Sequence, residues 1–285
     1  MATSCRQVEL TGHHVATREQ LSLGSLGRWL RLAAATAASI GLTFPPLAAA
    51  EATHANVTEL RPFEAIYSTR AIGMTLDLTR TLTREDDVYR LQSSGENFLI
   101  KMKEFAEFRV THSGVEGIRF NSKVKTLKTT KRAVEFDTER KLIKSFKRGE
   151  WTEHPFAPDV LDQFSQQQQL RLTLMQSNQT PETLQFRVVD GAKISDKVWR
   201  RLPNETLQTP LGDIDTVHYQ AVHKNPSKRA SEIWLAPSLD FLMVKTKHVE
   251  RTSTIKVDIK SLKWLGHSEL SATDLDWDVN RESSR

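Results

Sequence analysis

From Phe63 to Leu265 the chain alternates apolar and polar residues with a period of two, the spacing that gives a strand one buried and one wet face. Phe63, Ala65 and Tyr67 alternate with Glu64, Ile66 and Ser68. In the next run Ile72, Met74, Leu76, Leu78 and Leu82 share one parity, and Arg80 is the single exception. Val88–Leu91, Phe98–Met102, the stretch through Phe105, Phe108 and Val110, Gly117–Phe120, Ala133–Phe136 and Leu142–Phe146 continue the pattern, with short polar breaks that suit hairpins. It resumes at Leu184, Phe186 and Val188, turns at Asp190-Gly191, and runs on through Ile194–Val198, Val217–Val222, Ser231–Ala236, Phe241–Lys245 and Ile255–Ile259.

One stretch breaks this rhythm. Pro158-Asp159 is a helix-start signal, with Asp159 as N-cap and Asp162 near the unpaired N–H groups. Leu161, Phe164, Gln168, Leu172 and Met175 then recur at helical spacing, widened by Val160 and Leu174, so a helix is predicted over about 159–176. Its apolar face needs a sheet to lie on, and Gln168 on that face needs a partner. The predicted fold is mainly β: a single large twisted antiparallel sheet or half-open barrel with one helix packed across it. Since neither strand array has its own covering helix, residues 63–265 read as one β domain with the helix inserted.

The amino-terminal part reads as a targeting segment. Arg28 and Arg31 precede an apolar stretch from Leu32 to Phe44, and Ala48-Ala49-Ala50 supplies small residues for cleavage before Glu51. A signal peptide over 1–50 followed by a mobile segment over 51–62 is expected; the alternative is an uncleaved anchor. The apolar core is shorter than a spanning helix requires, so no transmembrane span is expected in the mature chain. The reading places the protein in the periplasm. Cys5 is the only cysteine and precedes the cleavage site, which removes disulfides and thiolate chemistry from the mature protein. Without residues 1–50 the chain carries 36 basic and 33 acidic residues, a balance that does not point to nucleic acid.

Residues 266–285 lose the alternation and read as a polar, disordered tail. Within it Asp274, Asp276 and Asp278 begin like a calcium loop, but Val279 stands where glycine is needed and Arg285 where glutamate is. His218 and His223 lie five apart on a predicted strand and so on opposite faces, which disfavours a shared metal. No nucleophile elbow, phosphate loop or dinucleotide fingerprint occurs, and no cofactor is implied.

Two features remain. Lys123–Arg148 is rich in lysine and arginine, either a patch for anionic lipid headgroups or the wet face of antiparallel strands; the alternation of Lys123, Val124 and Lys125 favours the second. Phe63, Tyr67, Phe164, Phe186, Trp199, Trp234 and Phe241 are the candidate lining of an apolar cleft between sheet and helix.

Phe63-x-Ala65-x-Tyr67, Ile72-Gly73-Met74, Asp162-Gln163-Phe164-Ser165 with Gln169-Leu170-Arg171, Thr209-Pro210-Leu211-Gly212 with Thr216-Val217, and Trp234-Leu235-Ala236-Pro237 occur in this order. Together they resemble domain of unknown function 3108, a family of bacterial exported proteins, over roughly Phe63 to Leu265. Phe164 and Leu242-Met243-Val244 depart mildly from its pattern. The resemblance implies an envelope location and a mostly antiparallel β fold, and no catalytic residues. The expected function is therefore a non-enzymatic periplasmic protein that binds an apolar or lipid-like ligand between sheet and helix. The alternatives are an interaction or scaffold module that docks another envelope protein, and a hydrolase of unrecognised type.

Overall fold

The computed structural model describes residues 58–71, 74–251 and 253–266. Residues 1–57, Ile72-Gly73, Thr252 and everything beyond Gly266 lie outside the described residues, and with them the expected signal peptide and polar tail. Leu60, expected in a mobile segment, is buried in the core.

Eight strands precede the helical region: β1 (Phe63–Ala71), β2 (Met74–Glu85), β3 (Val88–Glu96), β4 (Lys101–Thr111), β5 (Gly114–Lys125), β6 (Thr129–Asp137), β7 (Leu142–Lys147) and β8 (Glu150–Pro155). A two-residue strand, β9 (Val160–Leu161), leads to helix α1 (Ser165–Gln176). Six more follow: β10 (Thr183–Asp190), β11 (Lys193–Thr209), β12 (Gly212–Ala221), β13 (Arg229–Ala236), β14 (Leu242–Glu250) and β15 (Ser253–Trp264), with a 3-10 turn at Pro237–Leu239.

All fifteen strands belong to one sheet, in the order β8 to β1, then β15 to β9. Every pair is antiparallel except β9 with β10. The two meanders are joined by the first and last strands, with Phe63 opposite Trp264 and the Leu265 N–H donating to the Pro62 carbonyl at 3.1 Å. The ladder does not close, yet its ends curl together. β9 lies against β5, and the β10–β11 hairpin meets β7. Across that seam Gly191 N–H donates to Ser145 Oγ at 2.8 Å, His154 Nε2 and the Gly191 carbonyl are 2.9 Å apart, and Lys147 pairs with Asp190. The described residues thus form a half-open barrel sealed along one side by contacts between its two ends.

α1 occupies the interior of this curl. Leu170, Leu172 and Leu174 are buried with Phe120, Val134 and Ile143 from one meander and Val188, Tyr219 and Ile233 from the other. Burying the three leucines contributes on the order of 5 kcal/mol or more, which outweighs the marginal stability of so short a helix alone. Because strands surround it, Gln166, Gln168 and Arg171 are buried as well, so burial is not confined to the single apolar face expected.

The helix starts later than predicted. Val160 and Leu161 pair with Arg187 and Val188, which commits their backbone to the sheet. Asp159 is not the cap; its carboxylate takes Arg187 Nη1 at 2.9 and 3.0 Å. Asp162 instead fixes the turn, its Oδ1 accepting the N–H groups of Phe164 and Ser165 at 2.7 and 3.0 Å and its Oδ2 the Ser165 hydroxyl at 2.6 Å. Phe98 and Leu99 also depart from expectation: Asn97 Oδ1 accepts the N–H groups of Leu99 and Ile100, making a turn that leaves both apolar side chains exposed. Among the described residues no helix is long and apolar enough to cross a membrane.

Candidate functional site

Beside the amino-terminal half of α1 the barrel holds a cavity of about 1050 Å³. Gln163, Gln166 and Gln167 face it from the helix region. The sheet's period of two then sets its walls, because residues two apart share a face. Lys197 and Trp199 come from β11, Arg229 and Ser231 from β13, and His248 and Glu250 from β14. Lys131 and Arg132 from β6, with Phe146 to Gly149 at the β7–β8 turn, complete the rim.

The lining is cationic: Lys131, Arg132, Lys147, Arg148, Lys197 and Arg229 stand against only Asp190 and Glu250. Lys147 and Asp190 are already paired across the seam. Burial first, and then the like charges of Arg229 and Lys147, hold Lys197 below the ordinary lysine value despite Asp190. Burial likewise lowers His223, reinforced by Arg229, His248 and Lys197 and only partly opposed by Glu250. Two buried donors, Trp199 Nε1 and Gln166 Nε2, have no partner in the protein although their residues line this cavity. Unsatisfied buried donors and crowded positive charge are both relieved by a ligand that accepts hydrogen bonds and carries negative charge.

At the floor Ser231 and His248 face each other as a cross-strand pair, Ser231 Oγ lying 2.8 Å from His248 Nδ1. His223 Nε2 is 3.0 Å from the same hydroxyl, and Glu250 Oε2 is 3.7 Å from His248 Nε2. His218 is elsewhere, stacked on Trp234 at 4.1 Å and within 3.1 Å of both Glu205 and Glu232. Among the described residues no group of three or more His, Cys, Asp or Glu side chains is placed to hold a metal ion.

The seven candidate lining residues are distributed over several places. Trp199 lines the large cavity. Phe186 lines a second cavity, of about 590 Å³, with Leu161, Leu184 and Gln169. Phe63, Tyr67 and Phe241 border a small void beneath α1. Phe164 packs on Phe120 at 5.4 Å, and Trp234 lies between His218 and the Lys245 ammonium. The cationic residues of the large cavity were missed as a set. The signal available was the basic run Lys123–Arg148, of which Lys131, Arg132, Lys147 and Arg148 turn to the cavity instead of lying on a uniformly wet face. Their counterparts Lys197 and Arg229 come from the other meander, and only the curl of the sheet brings the two groups together.

Fold and site define a class: a curled antiparallel sheet wrapped on one internal helix, with a polar, cationic cavity between them. The chain belongs to the family described as protein of unknown function (DUF3108), which matches residues 63–260. Comparison with curated proteins finds no match. Among solved structures, the chain is similar to a β-barrel-like protein of domain of unknown function DUF1849 from Brucella abortus, with a TM-score of 0.49 and 10% identity over 73% of this chain and 99% of that one. It is also similar to a "putative lipoprotein" from Parabacteroides distasonis, with a TM-score of 0.28 and 9% identity over 72% of this chain and 96% of that one.

Proposed function

We propose that this protein is a non-catalytic component of the bacterial cell envelope that binds an acidic amphiphile, a lipid-like molecule with a phosphate or carboxylate head, in the large cavity. The envelope setting rests on the leader-like residues from Arg28 to Ala50. The observation that carries the ligand class is the excess of six lysines and arginines over two carboxylates around a space that Trp199, Phe146 and Val188 also line. The head sits among Lys197, Arg229 and the rim cations, and the apolar part lies on the aromatic wall. Of the apolar or lipid-like ligand expected from the sequence, this reading keeps the lipid-like form and adds an acidic head.

The test is native mass spectrometry of the protein as purified, followed by titration with dodecyl phosphate and dodecanoate. Saturable binding of either amphiphile is expected, weakened about tenfold or more in the Lys197→Glu/Arg229→Glu variant. No saturable binding of either, with no co-purifying acidic lipid, overturns the proposal. A bound anion stabilises protonated His223, so binding takes up a proton and tightens as pH falls from 7 towards 5 while the ligand stays ionised.

A second reading is favoured by Ser231, His248 and Glu250 at the cavity floor, whose chain of contacts resembles a hydrolytic triad. Two features weigh against it. At 3.7 Å Glu250 does not hydrogen-bond the ring, and Ser231 sits within a strand paired to β14, not on a turn that presents N–H groups to an oxyanion. Labelling of Ser231 by a fluorophosphonate, lost in Ser231→Ala, would establish hydrolysis in place of simple binding.

A further inference from the structure

A second site lies apart from the cationic cavity, under α1 and against β1, β2, β13 and β14. Here Arg80 and Arg171 border a void of about 20 Å³ together with Tyr67 and Gln168. Both arginines are buried, at 7% and 2% exposure. Arg80 donates through Nη2 to Gln167 Oε1 at 2.7 Å, and Arg171 through Nε to the Asp240 carbonyl at 2.6 Å. Arg80 Nε and both Nη1 and Nη2 of Arg171 have no partner.

The rest of the surroundings do little for the charge. Arg80 lies over the Phe164 ring at 5.0 Å and Arg171 over Phe63 at 5.6 Å, contacts worth a fraction of an ion pair. Tyr67, the nearest acidic hydroxyl, donates to the Met243 carbonyl, and burial pushes its pKa up to about 12, so it stays neutral. Glu104 and Asp240 act on the two arginines only through space; Glu104 accepts the Ser122 hydroxyl, and Asp240 offers its backbone carbonyl. Burial first, with a smaller contribution from the Arg80 charge, brings Arg171 down to about 10, which still leaves it charged at neutral pH. Two buried cations with open donors across one void demand a counter-charge that no protein group in contact supplies.

We propose that Arg80 and Arg171 hold a buried monatomic anion, chloride under physiological conditions, in the void beneath α1. The volume admits a particle the size of one water and excludes phosphate, sulfate or a lipid head. A water alone would satisfy donors without neutralising the pair. Gln168, whose Oε1 has no partner, completes the shell: turned over, its amide offers an N–H to the anion. The site ties β2 to the helix and to the β13–β14 turn through one ion, which gives the polar interruption in the helix's apolar pattern a purpose. It also accounts for Arg80, the one polar residue among the buried positions of its strand.

The protein is refolded in halide-free gluconate buffer and melted against rising chloride at constant ionic strength. A saturable rise in Tm, roughly 5 °C at saturation, is expected with chloride or bromide and not with sulfate. The rise should persist in a Lys197→Ala/Arg229→Ala variant and vanish in Arg171→Met. Crystals grown in bromide should show an anomalous peak between the two guanidinium groups, a readout that does not depend on the variant folding. Equal Tm in chloride and gluconate, or a void without an anomalous peak, overturns the proposal and leaves the large-cavity reading intact.

Discussion

Glu107 on β4 is buried, yet its carboxylate is held by two cations. Arg90 reaches Oε1 at 2.6 and 2.8 Å, and Arg119 reaches Oε2 at 2.5 Å and Oε1 at 3.0 Å. Burial pushes its pKa up, but the hydrogen bonds from Arg119 and Arg90 outweigh it, so the folded value lies below the ordinary 4.5. A carboxylate depressed in the folded state stabilises fully above pH 4.5 and loses that contribution as pH falls through the folded value. Glu107→Gln is therefore expected to cost about 1–2 kcal/mol at pH 7, discounted because Arg119 is half exposed. Urea unfolding at pH 7 and again below pH 4 should show the gap to wild type closing. At Asp162, Ala removes the acceptor for Phe164 and Ser165 and should cost about 1–3 kcal/mol in the same assay, while Asn keeps one oxygen in place and should cost less than half of that. The sequence held both aspartates of Pro158–Ser165 as candidates near a helix start; choosing Asp162 over Asp159 required knowing that Val160 and Leu161 are claimed by β10.

At the scale of elements, α1 is registered on the sheet by Gly114 and Gln169. Gln169 Oε1 accepts the Val115 N–H at 2.6 Å, and Gly114 has φ +123°, with space for a Cβ only 2.5 Å from that same oxygen. Gly114→Ala should cost about 2 kcal/mol, from backbone strain and loss of the helix contact together. In a Gln169→Ala background the steric part disappears, so a double-mutant cycle should return a coupling of about 1 kcal/mol; additive effects would deny the docking role. The seam is a second such joint. Asp190→Ala removes the partner of Lys147, and amide exchange in β8 and the end of β10 is expected to speed up while β1 to β4 stay unchanged. Most strands were legible because one face is buried and alternation follows. β8 was not, since Glu150, Trp151, Thr152, Glu153 and His154 are wet or half-wet on both faces of an edge strand. The second half of β11 was missed for the same reason, with Pro203 marking a register shift between Leu202 and Glu205.

At the scale of the whole sheet, period counting gave one large sheet with an inserted helix and left a twisted open sheet and a half-open barrel as alternatives; choosing the barrel required the contacts between distant turns, because curvature arises from strand twist and such contacts. The large cavity was illegible for that reason: no local pattern links Arg132 and Lys147 to Lys197 and Arg229. The arrangement also places residues 58 and 266, the outer limits of the described chain, at neighbouring strands near the middle of the sheet. A circular permutant that joins them through a short Gly/Ser linker and opens at Leu127, fully exposed in the β5–β6 turn, should fold with a Tm within a few degrees of wild type by circular dichroism. The same pairing bears on synthesis. Among the described strands β1 is the first to leave the ribosome and its partner β15 the last, so one edge of the nascent meander stays bare through most of its synthesis. A product that ends before β15 is therefore expected to be cleared by proteolysis or to aggregate, which pulse-chase of a chain truncated after Glu250 would show.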